Sequence, residues 1–79
     1  MVASRNIIGE KICQARRNRT PKVTQRALAE RLQLRGFRVD RAAVSKIETG
    51  RREVTDIEIK AIAEALGVTV GWLFGELDR

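Results

Sequence analysis

Thr24-Gln25-Arg26-Ala27-Leu28-Ala29-Glu30-Arg31-Leu32 and Asp40-Arg41-Ala42-Ala43-Val44-Ser45-Lys46-Ile47-Glu48-Thr49-Gly50 are the two stretches whose reading decides the fold. Each opens on a side-chain oxygen that can accept from an unpaired N–H of a first helical turn, Thr24 in one and Asp40 in the other. Each then repeats apolar residues at helical spacing. In the first, Leu28, Ala29 and Leu32 form a narrow inner face, and Ala29 is small enough for two helix axes to cross closely. In the second, with Arg41 at 0° and about 100° per residue, Ala43 falls at about 200°, Ile47 at about 240° and Val44 at about 300°, which defines a buried face.

The opposite face of the second stretch carries Arg41, Ala42, Ser45 and Lys46: two small residues, one of them a hydroxyl, and two cations. A solvated surface helix also accepts such residues, and on composition alone that is the stronger reading. The helix in front of it reverses the balance, because a pair of this kind is the unit that places an α-helix in the major groove of DNA. Small residues let the helix sink into the groove, where Arg and Lys donate to guanine and Ser pairs with several bases. Arg41, Ala42, Ser45 and Lys46 are therefore the expected base-contacting residues.

Around this reading helix the sequence offers two backbone clamps. The start of the preceding helix presents free N–H groups and a partial positive charge. Thr24 and Gln25 lie there, with Arg19 and Lys22 just before. All four read as phosphate contacts, and Gln25 also reaches toward a base edge. On the other side Arg51 and Arg52, followed by the cap residue Thr55, form the second clamp. Glu48, at about 340° on the same wheel, is the odd acid on a basic surface. Its natural partner is Arg16, and the pair is expected to brace two helices.

The rest of the chain extends the helical pattern. Ile8, Ile12 and Ala15 make one stripe of a first helix capped by Ser4 or Asn6, with Arg16, Arg17 and Arg19 at its negative pole and Pro21 after it. Gly36 closes the second helix, which is expected to run to Arg35, and Phe37 and Val39 tuck beneath it. Thr55-Asp56-Ile57-Glu58 is a capping box. It opens a fourth helix that buries Ile59, Ile62, Ala63 and Leu66 and ends at Gly67, with Val68 packing back. A short fifth helix is expected from about Val70 to Phe74 behind Thr69, weakened by Gly71. On it Val70, Leu73, Phe74 and Leu77 share one face and read as core, while Trp72 points elsewhere.

Charge follows the same division. Residues 1–52 hold 14 of the 16 basic side chains and 4 of the 10 acids; residues 53–79 hold the other 2 and 6. One face thus seeks a polyanion and one does not. With no His and one cysteine, Cys13, neither a disulfide within the chain nor a Cys/His metal site can be built. Cys13 lies near the apolar stripe and reads as an inert thiol. No metal, cofactor or small-molecule ligand is expected. No nucleophile–base pair or phosphate loop supports an enzyme. No membrane span or signal pattern is present, so the default expectation is a cytoplasmic protein forming one domain over residues 1–79.

Ile8-Gly9-Glu10-Lys11-Ile12, Ala15-Arg16, Thr24-Gln25, Leu28-Ala29-Glu30, Leu32, Val44-Ser45-Lys46-Ile47-Glu48, Gly50 and Ala63-Glu64-Ala65-Leu66-Gly67-Val68 fall in an order that resembles the XRE/Cro-like helix-turn-helix transcriptional regulators. Over residues 7–75 the resemblance implies an all-α, five-helix, lambda-repressor-like domain. It implies sequence-specific binding of a double-stranded DNA operator, usually palindromic and usually by a homodimer, and supports the Arg16–Glu48 brace. There is one departure. The family places Gly after the residue matching Leu32, whereas this chain has Gln33 and a connection about five residues longer, in which Arg35 and Arg38 can touch DNA themselves. The competing reading is a protein-interaction module, such as an antitoxin, using an apolar patch. Trp72 and Phe74 are the candidate contacts, favoured here for a homodimer. RNA is disfavoured, because the A-form major groove does not admit a helix.

Overall fold

The computed structural model describes residues 4–76. Five helices follow in order: α1 Gly9–Asn18, α2 Gln25–Leu34, α3 Arg41–Glu48, α4 Asp56–Leu66 and α5 Val70–Leu73. No strand occurs among the described residues. α2 packs on α3 and α4, and α1 packs on α3, α4 and α5.

Local chemistry sets most boundaries. The Thr24 hydroxyl accepts from Ala27 N–H at 3.0 Å, and the Asp40 carboxylate accepts from Ala43 N–H at 2.8 Å. At α4 the Thr55 hydroxyl accepts from Glu58 N–H while the Glu58 carboxylate accepts from Thr55 N–H, a complete capping box. Thr69 caps α5 through Trp72 N–H. α1 is capped from further away. Ile8 holds the cap position without a side-chain bond, and the Asn6 amide oxygen instead accepts from Ile8 N–H and Gly9 N–H. α2 stops at Leu34, with Arg35 as its cap and Gly36 at a φ of 90°, a left-handed conformation that a Cβ would oppose.

One core joins all five helices. Its largest fully buried side chains are Ile8, Ile12, Leu28, Leu32, Val39, Val44, Ile47, Ile62, Leu66 and Leu73. α4 is the central helix, and its buried face is wider than expected: Ala61 and Ala65 join Ile62, Ala63 and Leu66, whereas Ile59 is only half-buried. Contacts with α1, α2 and α5 explain this, since three neighbours cover more than one stripe. The final carbonyls of α4 are met by arginines from elsewhere. Arg31 Nη1 donates to Ala65 O at 2.8 Å, and Arg19 Nη1 donates to Leu66 O at 2.9 Å.

The reading of α5 needs correction. Only Leu73 is buried; Val70 and Phe74 are 38% and 42% exposed, and Leu77 lies outside the described residues. A helix of one turn has room for one inward side chain, and Leu73 fills it. Trp72 lies half-buried against the core, with the Lys11 ammonium 4.6 Å from its ring centroid.

Candidate nucleic-acid interface

α3 divides sharply into two faces. Val44 and Ile47 are buried, Ala43 is half-buried, and Arg41, Ala42 and Lys46 are exposed with Ser45 half-exposed beside them. The small-and-cationic face thus points out of the molecule. Ala43 N–H is held by Asp40, and Thr49 Oγ1 donates to Ser45 O and Lys46 O at the other end, so both termini are closed within the protein.

The orientation of α3 is fixed from α1. Arg16 Nε donates to Glu48 Oε2 at 2.5 Å and Nη2 donates to Glu48 Oε1 at 2.8 Å, a fork-shaped pair whose side chains are 10% and 5% exposed. Arg16 Nη1 also donates to Val23 O at 3.0 Å, and Gln25 Nε2 donates to Glu48 Oε1 at 3.1 Å. Burial alone would push the Glu48 carboxyl up; the hydrogen bonds from Arg16 and Gln25 outweigh it and hold Glu48 below the usual carboxylate range. The Arg16 guanidinium, bonded to Glu48, is raised further above neutral pH. Gly9 completes this joint. A Cβ there would lie 2.4 Å from Ile47 O and 2.7 Å from Glu48 O, so only glycine lets α1 meet the end of α3 this closely.

Two shallow recesses flank the outward face of α3. The first is lined by Arg17, Thr24, Gln25, Arg26 and Arg41, with Arg16 at its base. It joins the start of α2 to the start of α3 and gathers cations from three helices. The second is lined by Arg5, Asp40, Ala42, Lys46, Arg51, Arg52 and Glu53. A smaller hollow beneath the α2–α3 connection includes Gln33, Phe37 and Arg38.

The residues expected at the phosphates do not all stand free. Thr24, Arg19, Lys22, Arg38 and Arg51 are exposed, Arg51 with its Nε donating to Thr49 Oγ1 at 2.9 Å, and Gln25 is half-buried through its bond to Glu48. Arg19 is turned onto the end of α4 by its bond to Leu66 O. Arg52 is turned onto Glu58: Nη1 lies 3.2 Å from Oε1 and Nη2 lies 3.1 Å from Oε2. Burial would raise the Glu58 carboxyl, but Arg52 and Thr55 N–H together hold it low. Both arginines are therefore structural in this fold first. The geometry adds three cations that the sequence reading did not place at DNA: Arg5, Arg26, and Arg17, which it read only as a complement to the negative pole of α1. Arg26 was accessible to it, since it follows Gln25 in the first turn of α2; Arg5 was not, because its approach to α3 depends on tertiary folding.

No group of His, Cys, Asp or Glu among the described residues is arranged to hold a metal ion. Among those residues no helix is long and apolar enough to cross a membrane.

Residues 14–73 match the family described as Helix-turn-helix. Over 71 residues the chain is 30% identical to the Mycoplasma protein "Control protein C.MunI", covering 90% of this chain and 88% of the relative. No solved structure matches. The chain belongs to the XRE/Cro-like helix-turn-helix family and has its all-α, lambda-repressor-like fold. It is a DNA-binding transcriptional regulator.

Proposed function

We propose that this protein binds a specific double-stranded DNA operator by inserting α3 into the major groove, and that it acts as a repressor. The observation that carries this reading is the outward presentation of Arg41, Ala42, Ser45 and Lys46 on a helix whose other face is locked into the core. Arg41, Ser45 and Lys46 face base edges, and Ala42 lets the helix approach closely. Thr24 and Gln25 at the start of α2, with Lys22 nearby, meet the phosphates on one side. Arg51 meets them on the other, and Arg38 extends contact from the long connection. Arg19 and Arg52 serve the protein's own geometry, and any contact they make with DNA is secondary.

The operator is read as palindromic and the protein as a homodimer. Val70, at the start of the shortest helix, and Phe74, at its C-cap, are apolar and exposed one turn apart, which supports a small self-contact there near the half-buried Trp72. A relative named as a control protein accords with a regulatory role. Selection of bound duplexes from a random library tests the whole reading. A recovered motif with two symmetric halves is the expected result. Recovery of no motif, with binding to all duplexes alike, would overturn base readout by α3.

A further inference from the structure

We propose that Arg5 is a DNA phosphate contact, and that it forms with Arg51 the clamp on the second side of the reading helix, next to the base-facing Lys46. This rests on the DNA-binding reading above and names a residue outside every helix. A helix lying in the major groove, about 12 Å wide, has a phosphodiester strand on either side. The outward face of α3 has a cation-lined recess on either side in the same way. The first draws its cations from α1, α2 and Arg41. The second shares Ala42 and Lys46 with the reading face, and Arg51 enters it from the following loop.

The sequence pairs Arg51 with Arg52 for this role, but Arg52 is engaged with Glu58. Arg5 occupies the vacated role. Among the described residues its guanidinium has no hydrogen-bond or ion-pair partner, and the residue is exposed. Its backbone, by contrast, is held. Arg5 N–H donates to Gly50 O at 2.8 Å. The neighbouring Asn6 amide donates to Ile47 O at 3.0 Å and Arg52 O at 2.8 Å, while its oxygen caps α1. A cation on an anchored backbone loses less freedom on meeting a phosphate than one on a loose tail. Asp40 and Glu53 also line the recess. Asp40 Oδ1 is occupied by Ala43 N–H, and cations outnumber the two acids in the recess.

The test measures affinity against salt for the full chain and its Arg5→Ala and Arg5→Lys variants, on the duplex that wild type selects. For Arg5→Ala the slope of log K against log salt should fall by about 0.9 per bound protomer, with base preference and thermal midpoint unchanged. Arg5→Lys should retain the wild-type slope. A wild-type slope in Arg5→Ala overturns the clamp while leaving operator binding intact. An altered base preference overturns the phosphate assignment. Failure of the wild-type chain to bind any duplex overturns the underlying reading and the clamp with it.

Discussion

Removing the Glu48 carboxylate would strand the Arg16 guanidinium in a wall of protein. Both side chains are nearly out of solvent, and breaking such a pair on one side costs about 3 kcal/mol or more. Glu48→Ala should therefore lower the thermal midpoint by about 10 °C or more, measurable by calorimetry. The same carboxylate sets an acid limit. Its folded pKa is depressed, so its contribution is fully present above the ordinary glutamate value, about 4.3, and is lost as pH falls through the lower folded value. Glu48→Gln should flatten the acid limb of a stability–pH curve, though Glu58, depressed in the same direction, keeps some slope. An unchanged limb would show that the pair is energetically idle. The pairing was legible in the sequence because an isolated acid on a basic helix demands a partner. The long reach of Asn6 to Ile47 and Arg52 was not, since one amide bridging more than forty residues leaves no periodic trace.

At the level of the helix, starts and stops were the most readable features, because Thr24, Asp40 and Thr55 act on their own first turns. How two helices meet was less so. Gly9 reads as a poor helix residue, yet its missing Cβ is what allows α1 to touch the α3 carbonyls. Gly9→Ala should destabilise the protein despite the gain in helix propensity of about 1 kcal/mol, because the colliding atoms are backbone and cannot rotate aside. A raised midpoint in chemical denaturation would refute the close approach. For α3, Arg41→Ala or Ser45→Ala should change preference at one base position by about 1–3 kcal/mol in competition binding. A uniform loss over all sequences would reassign Arg41 to the backbone.

Across the whole molecule, the division into basic and acidic halves led to the expectation of one polyanion-seeking side, and two recesses rich in cations adjoin α3. The last turn of the chain was misread for a reason of scale. Helical periodicity assumes enough length to show a face, and α5 has four residues. Phe74, read as interior by that pattern, stands 42% exposed. Phe74→Glu should leave the fold intact while weakening self-association and operator affinity together, as followed by sedimentation and by binding. Unaltered association would move the self-contact elsewhere.

The connection from Arg35 to Asp40 is long for a link between two such helices, yet it has little slack. Phe37 N–H bonds back to Leu32 O, Gln33 Nε2 donates to Val39 O, and Val39 is sealed in the core. Its extra length is a splint, and the aim of the reading helix is set by Val44, Ile47 and Glu48 downstream of it. Exchanging residues 33–39 for a short glycine turn that keeps a Val39 equivalent should therefore leave the preferred operator unchanged. A lineage could lengthen or trim this hinge region while its gene targets stayed the same.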